Sequence, residues 1–320
     1  MPQFTVMSYN IEHMNKMFQD NAVKPSQQQR AQQIASVIQD IHPHVLGICE
    51  AANAPQEHQH FIDNYLQGSG YQLAHGASRG GQNLVFYYRN PFAVASIDDA
   101  ISFYEPWNAD VEDDGLNERH KWERKPLEVV FEIGQGGPRL RIVLVHAKSK
   151  GVFSVVDWHN FQKIALANRK RLVGQSIRLR SRLDQLLEDQ NPLPVVVMGD
   201  MNDGPGLDPF EMMVGKSFVE TVMGSVNNPK GIFHNTLWWM SSDSQLRNSL
   251  WTADFPDPIV SHPFGYKHRV WIDHILLSPD MLQQNNPVRY VMDSGTVAPK
   301  DNTSRAASDH SAVYCTIETN

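Results

Sequence analysis

Six polar clusters in this chain stand at or just past the ends of short apolar, β-branched runs. They are Ser8-Tyr9-Asn10-Ile11, Ile48-Cys49-Glu50, Val145-His146-Ala147-Lys148-Ser149, Gly199-Asp200-Met201-Asn202-Asp203, Trp271-Ile272-Asp273-His274 and Ser308-Asp309-His310-Ser311-Ala312-Val313. The pattern predicts acids, amides and imidazoles gathered where several strands end together. Glu50 and Asp309 offer hard carboxylate oxygens and Asn10 a neutral one. That set suits magnesium, with manganese or calcium as substitutes, because magnesium takes few protein oxygens and keeps waters while it grips a substrate phosphate. Two cysteines are too few for a structural zinc site, and no His-x-x-x-His pair of ligand type occurs.

Asp200 and Asn202 lie two apart just after a strand, and side chains two apart in extended backbone share a face. The carboxylate is expected to take a proton from a water that the amide aims. Asp273 beside His310 would fix the imidazole tautomer and favour its charged form. An imidazolium facing a phosphoryl oxygen stabilises charge that grows in the transition state. His146 and Lys148, again two apart, are expected to face the same phosphate. Arg124, just before Pro126-Leu127, adds a forked cationic contact suited to phosphate. Each feature also has a plainer reading. Asn10 and the Asp203-Gly204 pair fit turns, Glu50 fits a strand end, and His310 fits a satisfied core histidine. Their occurrence together, in one order, favours chemistry. No Gly-x-Ser-x-Gly elbow is present, so a covalent serine mechanism is not expected.

The elements that must position these residues follow from periodicity. Strands are predicted at 4–7, 45–48, 84–88, 127–133, 140–145, 195–198, 272–277 and 312–317. Ile34, Val37, Ile38 and Ile41 share one helical face, so a helix is predicted over 24–41, ended by Pro43. A long helical stretch is predicted from about 157 to 188, broken near Gly174. Strands and helices are interspersed without a linker-like shift in composition, which predicts one α/β domain over 1–320. Two segments resist, 105–125 and 227–269, and both are expected to be ordered surface insertions near the site because they carry Trp107, Trp122, Trp238, Trp239, Trp251 and Phe255.

The chain has 320 residues, 41% of them hydrophobic and 20% charged, which provides for a buried core and argues against disorder. Lys plus Arg number 28 and Asp plus Glu 35, a net charge of −7, so global attraction for nucleic acid is not expected and local charge or a metal must steer it. No apolar run is long enough for a spanning helix, and the first residues enter a strand at once, without the look of a signal peptide. A cytoplasmic location is expected, with Cys49 and Cys315 as buried reduced thiols; a secreted form whose leader had been removed would read the same way.

The set of motifs, in this order, resembles the endonuclease/exonuclease/phosphatase superfamily, the deoxyribonuclease I-like proteins, from Phe4 to Ile317. The resemblance implies a four-layer α/β/β/α sandwich of two mixed β-sheets flanked by helices, with the site at the sheet ends. It implies divalent-metal-dependent hydrolysis of a phosphoester by a directly attacking water. Residue by residue, Glu50 and Asn10 match the metal-site pair, with Asp309 as a further ligand or electrostatic support. Asp200 matches the water-activating carboxylate and Asn202 the amide that orients it. His310, oriented by Asp273, matches the phosphate-contacting imidazole, His146 the second family histidine, and Arg124, more loosely, an arginine at the start of a central strand. His146-Ala147-Lys148-Ser149 is similar to a motif of bacterial members, with Ala147 where Leu is frequent, and Cys49 departs from the usual Gln before the glutamate.

The bond type does not name the substrate. A nuclease of low sequence specificity is expected first, on the basic residues of the long helix: Lys163, Arg169, Lys170, Arg171, Arg178, Arg180 and Arg182. The alternative is a phosphodiesterase or phosphatase acting on a lipid, sphingomyelinase-like, or on a small phosphorylated molecule, favoured by the aromatic segment and the overall acidity. No stable protein partner is inferred, and a binding protein that merely keeps the fold is disfavoured because every position the chemistry needs is filled.

Overall fold

The computed structural model describes residues 1–78, 81–97, 102–152, 155, 157–256 and 267–320. Two large mixed sheets lie face to face. The first runs in the order Val288–Tyr290, Val313–Thr319, Gln3–Asn10, Val45–Ala51, Asn83–Tyr88, Gln72–His75, with Thr296–Val297 also paired to Val313–Thr319. The second runs His234–Asn235, Asp273–Leu277, Val195–Asp200, Arg139–His146, Leu127–Ile133, Phe92–Ile97. Each sheet has one parallel pair at its centre, Gln3–Asn10 with Val45–Ala51 and Arg139–His146 with Val195–Asp200. The remaining ladders are antiparallel.

The central strands are buried on both faces, which is why their sequences read as continuous apolar runs rather than alternating ones. Between the sheets lie Val6, Val45, Phe86, Phe131, Ile142, Leu144, Met198, Ile275 and Ile317. Outside the first sheet the helix Gln28–Ile41 buries Ile34, Val37 and Ile38, and the helix Pro55–Tyr65 buries Phe61 and Ile62. Outside the second, the helix Trp158–Leu187 buries Leu172, Leu179 and Leu183 against Val143, Val145, Val195 and Val197. These are the four layers that the motifs implied. Both cysteines are buried free thiols, pushed above the ordinary thiol range by burial.

Several expectations change. The long helix is unbroken at Gly174. A side chain there would sit 2.3 Å from His120 Nδ1, so glycine serves close packing and not a break. The 105–125 segment holds a short hairpin, Trp107–Ala109 with Glu118–His120, and tucks Trp107 and Trp122 into the core under the long helix. Of the 227–269 segment, positions 257–266 lie outside the described residues. Its described part carries the short helix Trp238–Ser242 and a two-stranded ribbon, Ala253–Pro256 with Lys267–Val270. Among the described residues no helix is long and apolar enough to cross a membrane.

Candidate active site

The two parallel pairs end side by side, and at or next to their last positions stand Asn10, Glu50, His146 and Asp200. Asn10 closes one strand and Glu50 lies one residue from the end of its partner. His146 and Asp200 close the parallel pair of the other sheet, opposite each other in register. Asp273 opens the neighbouring antiparallel strand, paired with Asp200. His310 stands just before the last strand of the first sheet, Val313–Thr319. Gly199 permits this convergence, since its φ is +138° and a side chain there would fall 1.9 Å from the Val145 carbonyl oxygen.

Asp200 is 2% exposed and is the hub. Its Oδ2 accepts the Asn10 side-chain amide at 2.9 Å, lies 3.5 Å from His146 Nε2 and 3.9 Å from His310 Nε2. Its Oδ1 accepts the Asn202 backbone N–H at 2.8 Å. Burial lifts the Asp200 carboxyl to about 7, against the nearby His310 charge. His310 donates from Nδ1 to Asp273 Oδ2 at 2.8 Å. Burial opposes its charge, but Asp273 and then Asp200 outweigh that and hold the imidazolium up to about 10. Burial, then Arg124 and His310, keep His146 well below the ordinary histidine range and therefore neutral. The two histidines thus differ in charge although both lie within 4 Å of Asp200.

Glu50 occupies a bulge where the ladder with Asn83–Tyr88 shifts register, and its φ is +56°. Left-handed backbone at a non-glycine residue costs about 1–3 kcal/mol and persists where its surroundings impose it. Here the His13 backbone N–H donates to Glu50 Oε2 at 2.9 Å, and the Gln82 amide donates to the same oxygen. Glu50 Oε1 lies 4.0 Å from His146 Nε2. Arg124 reaches the rim indirectly, donating to Gln82 Oε1 at 2.8 Å and to the Ala147 carbonyl at 3.3 Å. Asp309 Oδ1 lies 3.9 Å from His310 Nε2, and burial raises its carboxyl, with Glu12, Glu50 and Asp273 adding to the shift.

Three buried oxygens in this group have no hydrogen-bond partner: Asn10 Oδ1, Asp273 Oδ1 and Asp309 Oδ1. Unpaired acceptors beside carboxylates are what a cation would satisfy. Asp200, Asp273 and His310 form the compact trio among the described residues, their ligand-type atoms all within 4.8 Å. Part of its compactness is the hydrogen bond between His310 Nδ1 and Asp273 Oδ2, which occupies that nitrogen. Glu50, Asn10 and Asp309 offer oxygen donors as well, with the Oδ1 atoms of Asn10 and Asp309 unpaired.

Two expectations need correcting in their reasons. Asn202 does not share a strand face with Asp200. It lies past the strand end, at φ +51°, and reaches the site through the local turn in which Asp200 caps its N–H. Its side-chain amide donates to the Ala147 carbonyl at 3.2 Å, which leaves its oxygen available. Lys148 is not drawn in with His146 on one strand face, because that strand ends at His146. Its backbone N–H donates to Gln175 Oε1 at 2.8 Å, and burial lowers its ammonium. Most of the helix's basic residues serve the framework. Arg169 pairs with Asp208, Lys170 with Glu112 and Glu118, Arg180 with Asp184 and Arg182 with Glu128, while Arg178 donates to the Phe103 carbonyl. Arg171 instead lines a cleft of about 560 Å³ with Arg119, His120, Lys121 and Glu123.

Sequence reasoning passed over Gln82, which ties Glu50 to Arg124, and nothing in its neighbourhood marks it. It also passed over Lys150 and Asp203, which join two of the motifs. Asp203 was expected to be a plain turn. It is fully buried, and it accepts from Lys150, from Ser217 Oγ at 2.8 Å and from the Val219 N–H at 3.2 Å. A lysine and an aspartate in two adjacent motifs of opposite charge were the available signal.

The profile of the Endonuclease/Exonuclease/phosphatase family matches residues 7–310. No curated protein matches the sequence. Similar solved structures include TDP2 from Caenorhabditis elegans, 15% identical, TM-score 0.57, covering 98% of this chain and 75% of that one. D. rerio TDP2 complexed with single strand DNA product is 16% identical, TM-score 0.56, covering 99% of each chain. A functionally unknown conserved protein from Enterococcus faecalis V583 is 13% identical, TM-score 0.52, covering 99% of this chain and 100% of that one. At such identities the likeness is one of fold.

Proposed function

Because this chain belongs to the endonuclease/exonuclease/phosphatase family, we propose that it is a divalent-metal-dependent phosphodiester hydrolase that cleaves nucleic acid with low sequence specificity, using a directly attacking water. The convergence of Asp200, Asn10, His146, Asp273 and His310 from both sheets onto one point carries the reading. Asp200, lifted to about 7, is poised to take a proton from a water near neutral pH. The free oxygen of Asn202 aims that water. The imidazolium of His310, fixed by Asp273, presents its Nε2–H to a phosphoryl oxygen and stabilises the charge that develops there. Neutral His146, between Glu50 and Asp200, is a hydrogen-bonding contact for the phosphate rather than a charge. Arg124 and Lys148 stand further out as cations for the substrate. Glu50, Asn10 and Asp309 would hold the ion, magnesium by the hardness of their oxygens, whose role when bound is Lewis-acid neutralisation of a phosphate oxygen.

For nucleic acid speak the cationic cleft of Arg119, Lys121 and Arg171 near Lys148 and, by analogy of fold, the D. rerio TDP2 structure with its single strand DNA product. The test is a magnesium-dependent panel of plasmid DNA, single-stranded DNA, RNA, a sphingomyelin-type lipid and an inositol phosphate. Asp200→Asn and His310→Ala are expected to lower turnover by roughly two to four orders of magnitude. Near-wild-type turnover in either variant would overturn the roles. Hydrolysis confined to the lipid or the inositol phosphate would overturn the substrate class.

A further inference from the structure

The ribbon Ala253–Pro256 with Lys267–Val270 and the helix Asn302–Ala307 both run into the active site. Ala253 bridges His310, the Asp254 N–H donates to the Asp309 carbonyl at 2.9 Å, and Thr252 Oγ1 accepts the Asp273 N–H at 2.9 Å. Beside this junction four cations crowd around two residues. Lys300 Nζ sits 3.5 Å from the centre of the Trp251 ring, with the guanidinium carbons of Arg269 and Arg305 at 5.1 and 5.4 Å. Asp254 is shared by Arg305 at 3.0 Å, Lys267 at 3.6 Å and Arg269 at 3.9 Å. Among the described residues it is the carboxylate that pairs with them, so the group carries a surplus of positive charge.

That surplus costs free energy, since like charges held within a few ångström repel. The repulsion registers on Lys300, which burial, then Arg305 and Arg269, bring down to about 7. The Trp251 ring is 9% exposed and offers its face to the cations, so it holds them in place and is not free to stack on a base. The side chains of Lys267, Arg269 and Arg305 are 55%, 60% and 43% exposed and remain open to a ligand. Crowded cations on a rigid aromatic seat, three of them solvent-facing, carried beside a ribbon whose Ala253 bridges His310, suit an anion adjacent to the scissile phosphate.

We propose that Lys300, Arg305, Arg269 and Lys267 bind a backbone phosphate of a nucleic-acid strand, next to the phosphate being hydrolysed. This deepens the hydrolase reading above and rests on it for the bond that is cleaved. The patch gives extent along the polymer without reading bases, because phosphate contacts position a strand and carry no sequence information.

The test compares two substrates and one binding probe. The substrates are a dinucleoside monophosphate, with a single phosphodiester, and an oligonucleotide of about a dozen nucleotides, as DNA and as RNA. The probe is the same oligonucleotide, fluorescein-labelled, titrated by anisotropy into the Asp200→Asn protein across a salt series. In the Lys300→Ala/Arg305→Ala protein the loss of kcat/KM on the oligonucleotide should exceed that on the dinucleotide by about tenfold. The slope of log affinity against log salt should fall by about 0.7 for each phosphate that is no longer neutralised. The more exposed Lys267→Ala/Arg269→Ala pair should shift in the same direction, and Lys300→Arg should restore binding. Equal losses on both substrates, or an unchanged salt slope in both double variants, would overturn the proposal, as would failure of the parent protein to bind either oligonucleotide. If no substrate is cleaved while the patch variants still weaken anisotropy binding, the hydrolase reading fails and the phosphate site stands.

Discussion

Lys150 and Lys300 are both partly buried lysines linked to the candidate site, in opposite company. Lys150 pairs with Asp203 and Glu211 and lies 3.7 Å from Asp208, which Arg169 also holds at 2.8 Å. Burial works against its charge, yet Asp203 and Glu211 outweigh that and raise it above the ordinary lysine range. Among the described residues Lys300 shares its surroundings with Arg269, Arg305 and one carboxylate, Asp254, and its ammonium is brought down to about 7. A cation buried among more than its share of acids has nothing left to offer a ligand and serves the framework. One set among other cations on open surface carries an unmet demand for an anion. The same contrast explains the long helix, where basic residues with carboxylate partners proved structural.

The framework role has a specific geometry. Lys150 follows the His146 strand, and Asp203 follows the Asp200 strand. Their ion pair ties together the loop that follows His146 and the loop that carries Asn202. His274, whose Nε2 donates to the Asp203 carbonyl at 2.8 Å, attaches the third strand.

The sharpest way to break this contrast is Lys150→Met, which keeps the stem and removes the charge. Asp203 and Glu211, 0% and 1% exposed, would then face each other without the lysine's counter-charge. A stability loss of about 3–5 kcal/mol is expected by chemical denaturation. A loss below about 1 kcal/mol would mean that the pair is not what holds the loops.

The size of that loss should depend on pH. Burial, then the Asp203 charge, lift Glu211 from its usual 4.5 to about 7. A carboxyl raised on folding contributes fully below its unfolded value, and that contribution fades as pH rises through the folded one. Without Lys150 the shift grows, so the Lys150→Met deficit should be larger at about pH 8 than at about pH 5. A deficit independent of pH would take Glu211 out of the network.

Lys300→Met should bring the smallest change, within about 1 kcal/mol in thermal or chemical melts, because relief of cation crowding offsets the missing attraction to the Trp251 ring. A loss on the scale of Lys150→Met would make Lys300 structural and erase the distinction.

Much of the site was legible because its residues terminate apolar runs. Phe4 to Met7, Val45 to Ile48 and Val195 to Met198 announce buried strands, and a polar residue two or three positions on, Asn10, Glu50 or Asp200, emerges near a strand end. The edge strands Phe92–Ile97 and Gln72–His75 and the helix Pro55–Tyr65 escaped, being partly exposed or short and without a strong period. Asn202 was expected on the strand face of Asp200 and stands in a left-handed turn, because pattern alone does not tell one from the other. The 105–125 segment misled because its acidic loop masks two tryptophans that belong to the core.

By itself, then, the order of residues determined where the central strands and the two longest helices run and which polar groups stand at the strand ends, since burial dictates that periodicity locally. Tertiary structure alone decided the protonation and partnership of those groups. Whether His146 is neutral while His310 is charged, or Lys150 clamped while Lys300 is crowded, depends on burial and on charges brought near from distant parts of the chain. Electrostatic energy depends on distance in space, and spacing along the backbone does not contain it.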